Sequence, residues 1–478
     1  MPTPLISILH PTARVKPYAS FPRGWRDACE QFYRTCSERA QVEYVLIVHE
    51  SRWDEFWETH LETEYGYETV AVANVPDFPV CVMRIPNWGA IKIVKNNGRD
   101  CVVDQINAGA AACSGQLLIG IMDDLEAPSH WDEKLLDLLP DIKREQVIDL
   151  TGEPTEWIVY GAMTRARYER YGYALHPDFE SMFADNYFSH VARADGVVID
   201  GRKLGFRHNH PTNGRTQNDA IYELQNRPEA YDVGYATFQK LTTGKKILAL
   251  AAPGEEFRAQ WVWNLMNLCF GITSEFILVP HPGFSSNVYC TRHDIHNQIL
   301  DRKPHADLVL WMDDDNICTW SHVERLVRDL EEHPELDGVV GWCWCDNDER
   351  EAGRPEDWVM SVGLLGGEDG SVCQRLTAEH LNLHAGNPIV PINWTGFPCV
   401  LLRYETLVKM GRNCFAPILH PDVKRGFVGE DTAFSWNAHR LGIRLAVDLR
   451  VKVPHVKWRA IEPVFEYVAP AMQEAAMA

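Results

Sequence analysis

Residues 308–315 read Leu-Val-Leu-Trp-Met-Asp-Asp-Asp, and residues 117–124 read Leu-Leu-Ile-Gly-Ile-Met-Asp-Asp. In each segment a short apolar run, typical of a buried strand, ends in consecutive acids. Apolar residues at helical spacing follow both segments, so each predicts a strand, an acidic turn and a helix. In open α/β sheets, ligands bind in the crevice outside the carboxyl ends of the strands. Two such segments in one chain predict a duplicated α/β enzyme domain.

Further matches follow the two acidic segments in the same order. They are Arg167-Tyr-Glu169 with Arg403-Tyr-Glu405, residues 183–189 with residues 429–435, Asp200 with Asp448, and His208 and His210 with His455. A single match could arise by chance, whereas an ordered series indicates internal duplication.

A polar, irregular stretch from Thr212 to Lys246 separates the two halves, and a new apolar run begins at Ile247. Within each half, short apolar runs alternate with amphipathic helical stretches, the pattern of a largely parallel sheet covered by helices. The sequence therefore predicts an α/β protein with two tandem domains, residues 1–240 and 241–478, each with a mostly parallel central sheet.

Composition limits the classes of function. The 478 residues suffice for two or three domains, and a formal net charge of −21 disfavours a nucleic-acid partner. The 13 cysteines are scattered without a CxxC pair, so neither a disulfide framework nor a cysteine zinc site is predicted. No segment resembles a signal peptide or a transmembrane helix, so we expect a cytoplasmic protein.

The second half resembles the GT-A nucleotide-sugar glycosyltransferases, and most closely the large family 2 group. Asp313 and Asp315 match the DxD element of the family, Glu430 and Asp431 match its ED element, and His455 stands where some members place a final metal ligand. The resemblance implies two tandem GT-A domains and Mn²⁺ or Mg²⁺ as cofactor. It also implies a nucleotide-sugar donor and a glycan, lipid-linked or other hydroxyl acceptor.

The first half resembles the same family at other positions. Glu50 and Asp54 lie in a segment similar to the strand end that reads the nucleotide base, and Asn107 begins an Asn-x-Gly like that before the metal strand. Asp123 and Asp124 resemble a variant of the DxD element.

Two departures put metal binding by the first half in question. When the two Met-Asp-Asp segments are aligned, Leu125 stands against Asp315, and Ala184 stands against Glu430. A shift of one residue would instead place Asp124 as the metal ligand. Asp185 is then the candidate base of the first half. We expect the second half to be an active transferase, and activity of the first half stays open.

The chemistry of sugar transfer explains these residue types. A hard cation neutralises the charge that develops on a departing diphosphate, and carboxylates suit such a cation. Asp313 and Asp315 would converge on the metal and the donor, one as a direct ligand and the other through the ribose or an ordered water. Asp314 is a further donor-binding candidate. Asp431 would take the proton of the acceptor hydroxyl in an inverting displacement, at a helix N-terminus that favours its ionised form. Glu430 would bind acceptor hydroxyls.

Plainer interpretations stay open for each motif. An aspartate between a strand and a helix is often a helix cap, and His455 could be a structural histidine. His208 and His210 fit a metal pair or an ordinary edge strand. Trp342 and Trp344, which flank Cys343, fit a sugar-stacking platform or core packing. The alternative functions are a nucleotidyltransferase, or a protein in which one half has become a carbohydrate-binding or scaffold module.

Overall fold

The computed structural model divides into two compact units, unit 1 from Met1 to Lys245 and unit 2 from Lys246 to Ala478. It describes residues 4–12, 25–61, 68–75, 78–85, 89–151, 156–210, 223, 226–254, 259–284, 287–345, 359–366, 372–377, 387–419 and 426–456. Within these ranges, no helix combines the length and apolar character needed to cross a membrane.

Unit 1 is built on a nine-stranded sheet with the order β10-β8-β9-β6-β1-β2-β5-β4-β3. Relative to β1, strands β4 and β9 run antiparallel and the other strands run parallel. A separate pair is formed by β7 and β11. The strands are β1 (Ile6–Thr12), β2 (Val42–His49), β3 (Glu68–Val75), β4 (Phe78–Ile85), β5 (Gly89–Asn96), β6 (Leu117–Gly120), β7 (Leu125–Glu126), β8 (Val147–Asp149), β9 (Gly161–Thr164), β10 (Val198–Asp200) and β11 (Arg207–His208).

Helices follow most of these strands and supply the two faces of the core. They are α1 (Trp25–Thr35), α2 (Trp53–Leu61), α3 (Val102–Ala112), α4 (Trp131–Leu138), α5 (Arg165–Tyr171), α6 (Ala184–Ala194) and α7 (Pro228–Thr243), with 3₁₀ turns at Arg39–Gln41, Glu50–Arg52 and Arg202–Leu204. Strand β1 is buried at every position because it is central and covered on both sides. Its alternate residues serve opposite faces: Ile6 packs in the cluster that contains Trp25, and Leu9 packs in the cluster that contains Ile106. Each such buried side chain contributes about 1.5–3 kcal/mol.

Unit 2 is built on a seven-stranded sheet with the order β13-β12-β14-β22-β15-β25-β20. Its strands are β12 (Ile247–Gly254), β13 (Ile277–Phe284), β14 (Leu308–Trp311), β15 (Gly338–Trp342), β16 (Trp344–Cys345), β17 (Val359–Met360), β18 (Val362–Gly366), β19 (Val372–Arg375), β20 (Ile389–Ile392), β21 (Trp394–Thr395), β22 (Val400–Arg403), β23 (Ile418–Leu419), β24 (Phe427–Val428) and β25 (Leu445–Lys452). Its helices are α8 (Ala259–Glu275), α9 (Val288–Asp301), α10 (Trp320–Glu332), α11 (Tyr404–Met410) and α12 (Glu430–Arg440).

The two sheets share a block of six strands. The order β2-β1-β6-β9-β8-β10 in unit 1 corresponds to β13-β12-β14-β22-β15-β25 in unit 2, and in each block only the fourth strand runs against the others. Both units are thus Rossmann-like, and the predicted α/β class with mostly parallel central sheets is confirmed. Unit 1 adds β5, β4 and β3 beyond β2, whereas unit 2 adds β20 beyond β25.

Strand register corrects two of the sequence matches. Val147 and its counterpart Gly338 pair with Val198 and Leu445, so Asp200 corresponds to Val447 and not to Asp448.

The second correction concerns the two Arg-Tyr-Glu segments. Leu117 of β6 pairs with Thr164, and its counterpart Leu308 of β14 pairs with Arg403. Arg403 therefore corresponds to Thr164, while Arg167 lies within α5. The match between the two Arg-Tyr-Glu segments was wrong, because a repeated tripeptide carries no information about the register of the strand before it.

Candidate active site

Asp313, Asp314 and Asp315 form a tight turn directly after β14, at the carboxyl end of a central strand. The amide of Asn316 donates to the carbonyl of Asp313 at 3.2 Å, which closes the turn. Asn316 then forms an isolated bridge with His455, just beyond β25. The backbone therefore brings an acidic turn and a histidine that is distant in sequence to the same edge of the sheet.

Asp315 and His455 are in direct contact. His455 Nε2 lies 2.9 Å from Asp315 Oδ2, and the ring nitrogen Nδ1 lies 3.2 Å from the carbonyl oxygen of Trp344. The hydrogen bond to Asp315 raises the pKa of His455 to about 10. The amide of Val456 also donates to the Asp315 carbonyl at 2.7 Å. This bond holds the segment after β25 against the acidic turn.

This pair has the donor set and spacing of two ligands to one divalent cation. Neighbouring ligands of an octahedral ion with bonds of about 2.1 Å lie about 3.0 Å apart. The observed separation of Asp315 Oδ2 and His455 Nε2 is 2.9 Å. A carboxylate oxygen with an imidazole nitrogen suits Mn²⁺ in particular, since carboxylates favour Mg²⁺ and Mn²⁺ and imidazole favours later transition metals.

Asp313 is held by a different partner. Both of its carboxylate oxygens accept from Nη2 of Arg292, at 2.8 and 2.9 Å. Burial raises the pKa of Asp313 to about 7, although the charge of Arg292 opposes the rise. Among the described residues, Asp313, Asp315 and His455 are not a group of three whose ligand atoms all lie within 4.8 Å of one another. That Asp313 and Asp315 serve one ion stays a prediction.

Arg292 is itself unusual among the described residues. Its side chain is buried, and its guanidinium lies 4.4 Å from the centre of the Phe397 ring. Its Nε and Nη1 have no hydrogen-bond partner within the described part of the chain. Buried donors of this kind are costly unless a ligand or water completes them. The sequence reasoning missed Arg292, because nothing in the pattern of α9 distinguishes it from a surface arginine.

Glu430 and Asp431 open α12, as their position in the sequence predicted. Asp431 Oδ1 accepts from the amide of Thr432 at 2.6 Å. Glu430 is one of the carboxylates whose charge raises the pKa of Asp313, so the acidic turn and the start of α12 are electrostatic neighbours. Gly429 allows a close approach here, since a Cβ at this residue would lie 2.9 Å from Asp431 Oδ1.

A cavity of about 770 Å³ lies beside the start of α12. Its lining includes the aromatic side chains Tyr289, Phe415 and Phe427 together with His293. The hydroxyl of Tyr289 would lie 3.9 Å from a Cβ at Gly429, which places the cavity next to Asp431. No motif marked these residues, because they come from α9, from the segment after α11 and from β24, which are far apart in the chain.

Unit 1 contains a related pair around Asp124. Its Oδ1 accepts from the hydroxyl of Tyr160 at 2.6 Å, and its Oδ2 lies 3.3 Å from Nε2 of His208. Burial by itself would raise the pKa of Asp124, but the hydrogen bonds from His208 and Tyr160 lower it. The ring of His210 lies 4.8 Å from that of His208, centre to centre.

The backbone around Asp124 shows which residues of the two units correspond. Leu125 donates to the carbonyl of Met122 as Asn316 donates to Asp313, and Asn209 donates to Asp124 as Val456 donates to Asp315. Leu125 also pairs with His208, as Asn316 pairs with His455. The correspondences are Met122 with Asp313, Asp123 with Asp314, Asp124 with Asp315, and His208 with His455. Alignment of the Met-Asp-Asp segments was therefore wrong by one residue, and the shifted alternative agrees with the structure.

Asp123, a predicted donor-binding residue, is buried in unit 1. Its Oδ1 lies 2.8 Å from His10 Nε2, and His10 Nδ1 lies 2.6 Å from the hydroxyl of Tyr44. This is a chain of buried polar groups that satisfy one another within the core.

Asn107 connects α3 to a loop. Its amide nitrogen donates to the carbonyl of Leu175 at 2.7 Å, and its amide oxygen accepts from the amides of Ala174 and Leu175 at 2.9 and 3.0 Å. A ligand would have to displace these bonds. The side chain therefore positions the loop before α6.

The other predicted residues of unit 1 lie at helix starts. Asp185 is the second residue of α6, and burial raises its pKa. Glu50 begins a 3₁₀ turn after β2, and Asp54 lies in the first turn of α2. Both Glu50 and Asp54 are exposed.

Two thiols lie beside His455, and the sequence reasoning missed them. The sulfurs of Cys343 and Cys345 are 4.0 Å apart, and Cys345 is hydrogen-bonded to His455. The hydrogen bond from Cys343 lowers the pKa of the Cys345 thiol. The available signal was the Cys-x-Cys spacing, because alternate residues of an extended chain face the same side.

Comparison with known proteins adds little to this picture. No protein-family model matches the chain, and no curated protein matches it. Among solved structures, A197 from STIV is 14% identical, with 45% of this chain and 97% of that chain covered and a TM-score of 0.28. Mannosyltransferase PcManGT from Pyrobaculum calidifontis, in complex with GDP-Man and Mn²⁺, is 12% identical, with 51% and 65% covered and a TM-score of 0.33.

A third match is glucosyl-3-phosphoglycerate synthase from Mycobacterium tuberculosis, in complex with Mn²⁺, uridine diphosphate and phosphoglyceric acid. It is 13% identical, with 47% of this chain and 75% of that chain covered and a TM-score of 0.25. Likenesses this weak leave the function to be argued from the site itself.

Proposed function

We propose that unit 2 is a GT-A glycosyltransferase domain that moves a sugar from a nucleotide-diphosphate donor to a hydroxyl acceptor. The observation that carries the proposal is the Asp315–His455 pair, whose 2.9 Å spacing suits two ligands of one Mn²⁺ or Mg²⁺ ion at the carboxyl end of β14. When bound, the cation supplies the positive charge that stabilises a departing diphosphate.

The donor would lie across the acidic turn. Asp313, held by Arg292, and the neighbouring Asp314 would accept hydrogen bonds from ribose hydroxyls. Arg292 brings a positive charge and two buried donors that lack partners in the described residues, a combination that matches a phosphate oxygen.

Asp431 would act as the base of an inverting displacement. The acceptor oxygen attacks the anomeric carbon, the bond from that carbon to the diphosphate breaks, and the acceptor proton passes to Asp431. Glu430 would bind acceptor hydroxyls, and the cavity lined by Tyr289 and Phe427 offers room for a glycan, lipid-linked or other hydroxyl acceptor beside Asp431.

Unit 1 would be a second GT-A domain that has lost transfer activity, which makes the chain a tandem duplication with domains of residues 1–240 and 241–478. The shared block of six strands and the matching turns support the duplication. Met122 in place of Asp313 and Ala184 in place of Glu430 support the loss of activity. Asp124 and His208 keep a pair that could hold a cation, and the exposed Glu50 and Asp54 would contact a nucleotide.

The proposal is tested by product analysis on the full chain with UDP-, GDP-, dTDP- and CMP-sugars, with and without Mn²⁺. We expect Mn²⁺-dependent release of the nucleoside diphosphate, or of CMP from CMP-sugars, and its loss in Asp315→Asn. Release of pyrophosphate would instead identify a nucleotidyltransferase. Absence of turnover together with absence of metal-dependent heat in calorimetry would identify a binding or scaffold protein.

A further inference from the structure

The thiols of Cys343 and Cys345 and the imidazole of His455 form the one group of three or more histidine, cysteine or acidic side chains, within the described ranges, whose ligand atoms lie within 4.8 Å of one another. Two strand ends bring them together. The amide of Val453 donates to the carbonyl of Trp342 at 2.8 Å, so the segment after β25 runs beside the segment after β15. The extended backbone at β16 then directs both thiols to one side, toward His455.

The segment that carries the thiols is held in place on its other edge. The amide of Cys343 donates to Oγ of Ser361 at 3.0 Å, and the amide of Ser361 donates to the carbonyl of Cys343 at 2.9 Å. Cys345 pairs with Val359 in the two-stranded sheet of β16 and β17. The two sulfurs therefore keep their separation without a bond between them, which is the arrangement that a preformed ligand group needs.

The distances indicate the kind of ion. In a tetrahedral zinc site with Zn–S bonds of about 2.3 Å, two sulfurs lie about 3.8 Å apart. The observed separation of the Cys343 and Cys345 sulfurs is 4.0 Å. Two thiolates and one imidazole are soft and borderline ligands, which select Zn²⁺ over the hard ions Mg²⁺ and Mn²⁺. Cys343 is buried, whereas Cys345 and His455 are partly exposed, so an ion can reach the group from solvent.

We propose that Cys343, Cys345 and His455 form a zinc-type site with its fourth position open to water or to a small ligand. Binding displaces the thiol protons and the imidazole proton to solvent, so two thiolates and one neutral imidazole face the ion. A Cys₂His set with an open position is a recognised arrangement for zinc in proteins. Within the ranges that the structure describes, unit 1 holds no group of this kind.

The zinc-type site shares His455 with the proposed donor-metal pair. Only this sharing rests on the proposed function. One imidazole can turn toward the thiols or toward Asp315, so a thiophilic ion withdraws His455 from a harder ion. The zinc-type site itself requires no sugar transfer, and its test needs no nucleotide sugar.

The test uses Co²⁺ as a spectroscopic substitute for zinc, added to the reduced, metal-free full chain. We expect a sulfur-to-cobalt charge-transfer band that saturates at one equivalent and disappears on addition of one equivalent of Zn²⁺. Cys343→Ser and Cys345→Ser should each remove most of the band. Cys290→Ser, which removes an exposed thiol elsewhere in unit 2, should leave it unchanged. Asp315→Asn should also retain the band, which separates this site from the donor-metal pair.

Two results would overturn the proposal. One is no charge-transfer band at one equivalent in the wild-type chain. The other is a band that persists in Cys345→Ser, a partly exposed position where serine should not disturb folding. Circular dichroism of each variant confirms that a lost band reflects lost ligands. Failure of sugar transfer with a normal cobalt titration would leave the zinc-type site standing and remove only the proposed function.

Discussion

The two units place the same pair of side chains at the same backbone positions and surround it differently. In unit 1, Asp124 faces His208 and also accepts a hydrogen bond from Tyr160. In unit 2, Asp315 faces His455, and the thiols of Cys343 and Cys345 lie close to the same imidazole. The residue two positions before the aspartate is Met122 in unit 1 and Asp313 in unit 2. A shared backbone therefore preserves the position of a pair, while the neighbouring side chains decide what the pair can bind.

The same contrast holds at the start of the later helix. Asp185 and Asp431 both occupy the second position of their helices, α6 and α12. The residue before Asp185 in its helix is Ala184, whereas the residue before Asp431 is Glu430. Only unit 2 thus combines a candidate base, a second carboxylate and a nearby acidic turn.

The largest effect on nucleoside diphosphate release should come from the aspartate of the Asp315–His455 pair, compared with its counterpart Asp124 in unit 1. Asp315→Asn should lower the rate of nucleoside diphosphate release by about 1,000-fold or more, because a catalytic cation contributes several kcal/mol. Asp124→Asn, the matched variant of unit 1, should leave the rate within about twofold. Equal losses in the two variants would show that both units transfer sugar and would remove the contrast.

The helix-start aspartates should show the next effect. Asp431→Asn should lower the transfer rate about 100-fold, the lower range for loss of a general base, whereas Asp185→Asn should not. The measurement is transfer to an acceptor under single-turnover conditions. If Asp431→Asn retained near-full transfer while Asp315→Asn abolished it, the inverting mechanism would be wrong, and a retaining mechanism would replace it.

A smaller effect should follow from added bulk beside Asp431. Gly429→Ala places a methyl group 2.9 Å from Asp431 Oδ1 at a φ of −64°, which alanine adopts without strain. Displacement of the carboxylate should lower the transfer rate by about 10-fold with little change in thermal stability. Gly396→Ala, whose nearest contact would be an ordinary 3.5 Å, is the control. A Gly429→Ala chain with wild-type activity would argue against a catalytic Asp431.

The smallest effect concerns the Asp-x-Arg segments that precede the two histidines. Asp200 is exposed and pairs with Arg202, and these contacts lower its pKa. Asp448 makes the same bond to Arg450 but is buried beside Asp329, whose pKa is raised by burial and by Asp448. A carboxyl group with a raised pKa in the folded state stabilises the fold at acidic pH, and loses that contribution as pH rises through its folded-state pKa.

Asp329→Asn should therefore gain stability relative to the wild type between pH 4 and pH 8, by about 1 kcal/mol. Urea unfolding of both chains across this range gives the difference. The stability of Asp200→Asn relative to the wild type should fall as pH rises, which is the opposite sense. A carboxyl group with a lowered pKa stabilises the fold above its ordinary pKa, and that contribution is lost as pH falls. A pH-independent difference between wild type and Asp329→Asn would mean that Asp329 is ionised throughout.

Much of the architecture followed from the sequence alone. The apolar runs of β1, β6, β12 and β14 are long enough and regular enough to predict buried strands, because their burial depends mainly on local composition. The acidic turns and the helix start at Asp431 were also predicted correctly, since strand ends and helix caps have local signals.

Only the tertiary structure decided which residues meet. Register showed that Asp124 and not Leu125 corresponds to Asp315, because hydrogen bonds between distant strands set it and a repeated Met-Asp-Asp does not. Asp313 faces Arg292, and Cys343 and Cys345 face His455, through contacts between segments far apart in the chain. The sequence by itself determined the strands, the acids and the order of the repeat, which depend on neighbouring residues. The partners of those acids depend on long-range packing, and no local pattern records it.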